Sequence, residues 1–160
     1  MIKKFNILIL SMFAVGRSKY APGTVASFIT CLVFIPLYGN KINIIFLIII
    51  ISFFFIYSVY AIDRFKNYFD EVDSREIVID EFVGQSIPII TIYSLITYNI
   101  SNFIFYTVVS FFLFRFFDII KPYPINKIDK NIKNGFGVML DDVVAGIYSS
   151  IVLIIFILLI

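Results

Sequence analysis

A chain of 160 residues that is 61% hydrophobic, with a mean hydropathy of +0.99, is more apolar than a soluble domain, where about 45–50% is usual. Its 13 basic and 11 acidic residues nearly balance, so there is no broad positive field of the kind that holds nucleic acid. The absence of histidine excludes a Ser-His-Asp triad, a phosphohistidine route and imidazole-built zinc sites, and the single cysteine, Cys31, has neither a CX5R arrangement after it nor a disulfide partner.

Catalysis is therefore left to carboxylates, Lys, Arg, Ser, Thr and Tyr, a set that suits a hard cation such as Mg2+ bound through oxygen. Lys3 and Lys4 open the chain ahead of an apolar run from Phe5 to Val15. The run imitates a secretory signal, but the following GRSKYAPGT has no small-x-small cleavage site. It is too short to span, and an interfacial or partly buried helix is expected. Val25 to Tyr38, a Gly-Asn-Lys turn at 39 to 41 and the long run Ile42 to Ile62 predict a helical hairpin whose second arm reaches the ~20 residues of a transmembrane helix.

A charged segment follows from Asp63 to Glu81. Inside it Asp73-Ser74-Arg75-Glu76 predicts a capping box that starts a helix and carries EIVIDEFVG into the membrane. Pro88 removes the bond to the Gly84 carbonyl and is expected to kink this helix. Apolar sequence continues to Tyr98, breaks at Asn99 to Asn102, and resumes from Phe103 to Phe117 before Pro122 and Pro124 stop it. A second charged segment, 121–142, leads to a last helix from Val143 to Ile160.

Spans at 25–38, 42–62, 82–98, 103–117 and 143–160 alternate so that all 11 acidic and 12 of the 13 basic residues fall on one side, with Lys41 alone opposite. This positive-inside pattern predicts a cytoplasmic orientation for the charged face. The expected architecture is all-α, a single-domain multi-pass membrane helical bundle over residues 1–160 with catalytic loops at one membrane face.

Glu76, Asp80 and Gly84 are spaced four apart and should share a helical stripe, with Glu81 about 100° away. Asp141 and Asp142 stand at the expected start of the last helix, with Gly146 one turn beyond. Acids at a helix start also serve as plain capping and dipole devices. An ionisable group at membrane depth is costly without a partner, however, and two acidic clusters at one face make a cage for one or two Mg2+ ions. Arg115, Asp118 and Lys121 share a face at a helix end, where they either anchor the membrane edge or clamp phosphate while Asp118 joins the metal site. Lys19, Thr24 and Ser27 are further candidate phosphate contacts.

The segments APGTVASF at 21–28, EIVIDEFVGQ at 76–85, RFFDIIKPYPI at 115–125 and GVMLDDVVAG at 137–146 resemble, in the same order, the four blocks of the phosphatidylglycerophosphatase A family. The resemblance implies a Mg2+-dependent, largely helical lipid phosphatase of the bacterial inner membrane, acting on a phospholipid in the bilayer without nucleic acid or an obligate protein partner. By position it puts catalytic and metal-binding acids on Asp80, Glu81, Asp118, Asp141 and Asp142, and basic partners on Arg115 and Lys121. Ala26 stands where the family often has Gly, and Asn134-Gly135-Phe136-Gly137 replaces a more glycine-rich approach to the DD pair; neither departure removes a charged group. Transfer chemistry of the CDP-alcohol phosphotransferase kind is disfavoured because DDVVAG lacks the DGxxAR pattern. The non-enzyme alternative is a small membrane transporter or assembly protein with a cation-binding acidic cluster, which calls for charges deep within the spans instead of at their edges.

Overall fold

A backbone surrounded by lipid must satisfy its own N–H and C=O groups, and a helix does so within one segment. The computed structural model describes residues 2–65, 74–96 and 99–159, and side chains from residue 4 onward. Among these residues there is no strand. The helices are α1 (Ile2–Leu10), α2 (Pro22–Gly39), α3 (Ile44–Phe65), α4 (Ile79–Leu95), α5 (Ile100–Ile120), α6 (Ile125–Asn131) and α7 (Gly135–Leu159), with a 3-10 turn at Val15–Arg17.

Among the described residues four helices, α2, α3, α5 and α7, are long and apolar enough to cross a membrane. The 17-residue α4 lies at the centre, packed against all four. The chain runs up and down, so the starts of α2, α4 and α7 and the ends of α3 and α5 meet at one end of the bundle. The outer faces of α3 and α5 expose Phe46, Ile49, Phe53, Phe105 and Phe112, which a bilayer would cover. Inward faces mix large apolar side chains such as Phe34, Phe114 and Met139 with small and hydroxylic ones. Ser27, Thr30, Ser86, Ser149 and Ser150 each donate to the carbonyl four residues back, and Gln85 Nε2 reaches Ser110 Oγ at 3.2 Å between α4 and α5. Close helix approach on small residues is how bundles cohere where lipid is as apolar as leucine.

The far end is pinned by aromatics. Tyr38 stacks on Phe103 with centroids 3.9 Å apart and donates its hydroxyl to Ile96 O at 2.9 Å, while Tyr93 donates to Leu37 O at 3.2 Å.

Several boundaries differ from expectation. The helix bearing EIVIDEFVG starts at Ile79, because Ser74 to Glu76 form a turn and Val78 N donates to Leu10 O at 3.0 Å, docking the segment on α1. Glu76 is therefore off the helix, and Asp73 of the expected capping box lies outside the described residues. The last helix starts eight residues early, at Gly135. Asn134 caps it by accepting from Gly137 N at 3.0 Å, and Asp63 at the end of α3 accepts from Gly135 N at 2.8 Å. α5 continues to Ile120 and closes on Lys121 in the left-handed region. The segment that reads only as charged contains α6. The assigned α4 continues through Pro88.

Candidate active site

Asp80 and Glu81 occupy the first turn of α4, where the helix dipole favours anions and Asp80 Oδ1 accepts from Glu81 N at 3.1 Å. Asp142 comes from the second turn of α7, beyond any capping position. What brings the two helices together is glycine. A Cβ on Gly84 would lie 2.8 Å from the Asp142 carbonyl and 2.7 Å from the Phe114 ring, and one on Gly146 would overlap the Gly84 carbonyl. That carbonyl is the acceptor Pro88 leaves without its usual helical donor.

One ligand oxygen from each of Asp80, Glu81 and Asp142 lies within 4.8 Å of the others. Asp80 and Asp142 are 8% and 4% exposed. Glu81 Oε2 and Asp142 Oδ2 are buried without a hydrogen-bond partner. At 4.8 Å and an effective dielectric near 20, each pair of ionised carboxylates repels by about 3–4 kcal/mol. Arg115 is the cation that reaches in, with Nη1 3.9 Å from Glu81 Oε1, and it is held by Asp118 Oδ2 at 2.6 Å. One guanidinium shared between Glu81 and Asp118 cannot offset three mutual repulsions, so the arrangement fits a divalent cation seated among the unpaired oxygens.

α2 closes the site from the other side. A Cβ on Gly23 would overlap the Glu81 carboxylate and stand 3.2 Å from Arg115 Nη1. The first turn of α2, with Pro22 at its start and Gly23 and Thr24 following, thus abuts Glu81 and Arg115, and a helix N-terminus presents free N–H groups to an anion.

The DD pair divides its work. Adjacent helical residues point about 100° apart, and Asp141 Oδ2 turns to Lys121 Nζ at 2.7 Å instead of joining the three-oxygen group. Lys121 also pairs with Asp129 of α6 at 3.2 Å. Burial acts to lower the Lys121 ammonium, but the hydrogen bond and charge of Asp141, with Asp129, outweigh it and hold the group above the usual lysine range. The expected metal ligand Asp141 and the expected phosphate clamp Lys121 are thus ion-paired to each other. Losing Lys121 strands an acid that is only 5% exposed, so Lys121→Gln should cost about 1–3 kcal/mol after discounting for the lysine's partial exposure. Lys133→Gln, which removes a 3.9 Å surface pair, should cost under 0.5 kcal/mol. Denaturation in detergent checks the order.

Asp118 stays with the site through Arg115, and its charge bears on both Glu81 and Asp142. Lys19 is exposed, its ammonium over the neighbouring Tyr20 ring at 5.4 Å. Thr24 is half-buried next to Gly23, and Ser27 is committed to the Gly23 carbonyl. Sequence reasoning missed the direct contact of Gly23 with Glu81, and the supporting acids Asp63 and Asp129; the proline-glycine start of α2 was the available signal for the first.

The whole set lies within one family match. The family model for phosphatidylglycerophosphatase A matches residues 8–157. The chain belongs to the phosphatidylglycerophosphatase A family. It is 38% identical over 143 residues to the phosphatidylglycerophosphatase A of Haemophilus influenzae, covering 88% of this chain and 81% of that one. The Escherichia coli phosphatidylglycerophosphatase A is 36% identical over 78 residues, 49% of this chain and 41% of its own. A Bacteroides thetaiotaomicron protein with the provisional name phosphatidylinositol-3-phosphatase is 33% identical over 153 residues, 92% of this chain and 90% of its own. No solved structure matches. The buried three-oxygen group of Asp80, Glu81 and Asp142 lies inside the matched residues.

Proposed function

We propose that this membrane protein hydrolyses the terminal phosphomonoester of phosphatidylglycerophosphate at the Asp80, Glu81 and Asp142 cluster, using Mg2+. Water attacks phosphorus, directly or after an aspartate has taken the phosphoryl group, the phosphorus–oxygen bond to glycerol breaks with a proton passing to the glycerol oxygen, and phosphatidylglycerol stays in the bilayer while phosphate leaves. The observation that carries the reading is the convergence of three carboxylates with two buried, unpaired oxygens in a family of lipid phosphatases.

Asp80, Glu81 and Asp142 would hold the ion, which when bound supplies charge to the phosphoryl oxygens and activates water. Arg115, fixed by Asp118, stands beside Glu81 to accept the phosphate as a planar clamp. The first turn of α2 offers backbone N–H groups on the same side. Lys121 and Asp141 tie α7 to the end of α5 and keep Asp142 in place. In the sequence the acids and all cations but Lys41 sort to one side of the alternating spans, and the positive-inside rule supports a site facing the cytoplasm from a bacterial inner membrane.

Phosphate release from phosphatidylglycerophosphate in detergent tests this. Chelation should abolish release, added Mg2+ should restore it, and Asp80→Asn should lower kcat by about a thousandfold. Full activity after exhaustive chelation would remove the metal from the proposal. Faster turnover of phosphatidylinositol 3-phosphate than of phosphatidylglycerophosphate would reassign the substrate.

A further inference from the structure

The face of α4 that carries Asp80 continues past the acids. Ile87 lies seven residues on, within about 20° of Asp80 around the helix, and Val83 and Ile90 flank the same stripe. α7 closes against this stripe at Gly146, where an added Cβ would be 3.1 Å from Ile87 Cβ. On the other side α3 contributes Ile51 and Phe55. Together with Val143 these residues line a groove of about 610 Å3.

Three observations say what fits there. No acid lines the groove itself, but Val83 in its lining is three residues after Asp80 and Val143 is next to Asp142, which puts its near end about one helical turn along from the acids. Its lining reaches Thr91, about 16 Å from Asp80 at 1.5 Å per residue, close to the ~15 Å that half of a ~30 Å hydrocarbon core measures. The hydroxyl of Thr91 is turned to Ile87 O and Ser150 Oγ at 3.1 and 3.2 Å, which leaves an apolar wall. A phosphate held at the acids fixes one end of a lipid, and its chains must then run into the same leaflet along an apolar path. Exposed Ile48 and Ile56 on the rim open this path sideways to the bilayer.

We infer that the groove between α3, α4 and α7 seats one acyl chain of the lipid whose phosphate meets Asp80, Glu81 and Asp142. The inference rests on the lipid-phosphatase reading above and adds to it a basis for preferring a membrane-borne substrate over a free phosphomonoester.

The chain has no tryptophan, so Ser52→Trp and Ile90→Trp each narrow the groove and each carry the sole indole. Ile49→Trp, at a position 60% exposed on the outward side of α3, is the comparison. Phosphate release is measured with Mg2+ from diacyl phosphatidylglycerophosphate and from its deacylated headgroup. The groove variants should lower the diacyl-to-deacylated ratio of kcat/KM by about tenfold or more, while Ile49→Trp leaves the ratio at the parent value. An unchanged ratio, or equal loss on both substrates, overturns the groove and leaves the lipid-phosphatase reading standing; no release from either substrate by the parent overturns that reading. Fluorescence tests the groove without turnover. Phosphatidylglycerol with brominated chains should quench the Ser52→Trp indole at a lower mole fraction than the Ile49→Trp indole. Equal quenching, or shielding of the Ser52→Trp indole by a second copy of the chain, counts against an acyl chain.

Discussion

Asp142→Asn should reduce phosphate release about a thousandfold and, with chelator present, should melt above the parent. The two effects have one cause. Asp142 contributes one of three oxygens that lie within 4.8 Å of each other, and its Oδ2 is buried with no partner. Without a cation, at a pH alkaline enough to ionise all three carboxyls, the site is repulsive, and removing one charge deletes two of the three repulsive pairs. Even ~1 kcal/mol of relief moves the melting temperature of a chain this size by about 2–4 °C. Mg2+ should act in the opposite sense. At a hundredfold excess over Kd it stabilises the parent by about 2.7 kcal/mol, and the variant, lacking a ligand, should gain less than half of that. A variant that melts below the parent in chelator would make Asp142 a structural anchor instead of a metal ligand.

The sequence made the end of the bundle legible more readily than the roles within it. Charge position pointed the acids to one face, and Asp80, Glu81, Asp118 and Asp142 do gather at one end of the bundle, where Gly84, one turn beyond Asp80, lets α7 come close. Asp141 and Asp142 could not be told apart. Their difference is 100° of helical rotation, and its meaning depends on Lys121 arriving from the left-handed cap of α5. Helix starts were equally hidden. Glu76 read as part of the Asp80 stripe, but backbone bonding of Val78 to Leu10 delays α4 to Ile79, a tertiary contact that local spacing does not encode. The early start of α7 depends on Asp63, 72 residues away, accepting from Gly135 N. The helix read from Val25 in fact starts at Pro22, and the contact of Gly23 with Glu81 required knowing that α2 and α4 begin side by side.

Gly146→Val should disable the site while leaving every charged residue in place. A Cβ at 146 would overlap the Gly84 carbonyl and stand 3.1 and 3.2 Å from Ile87 side-chain atoms. The obstruction is backbone, so α7 must move away from α4, and Asp142 sits only one turn above the obstruction. Overpacking of this kind costs about 1–3 kcal/mol, and a displacement of even ~1 Å at the reacting groups can cost about a hundredfold in rate. Gly39→Ala, where an added Cβ meets nothing within 4 Å, should change neither rate nor melting temperature appreciably. Destabilisation alone does not separate the explanations, so the deciding measurement is the Mg2+-induced rise in melting temperature. Gly146→Val should lose most of that rise although Asp80, Glu81 and Asp142 are all present, because the ion requires their oxygens together. If the rise survives intact, the α4–α7 crossing is needed for stability and does not set the geometry of the metal site.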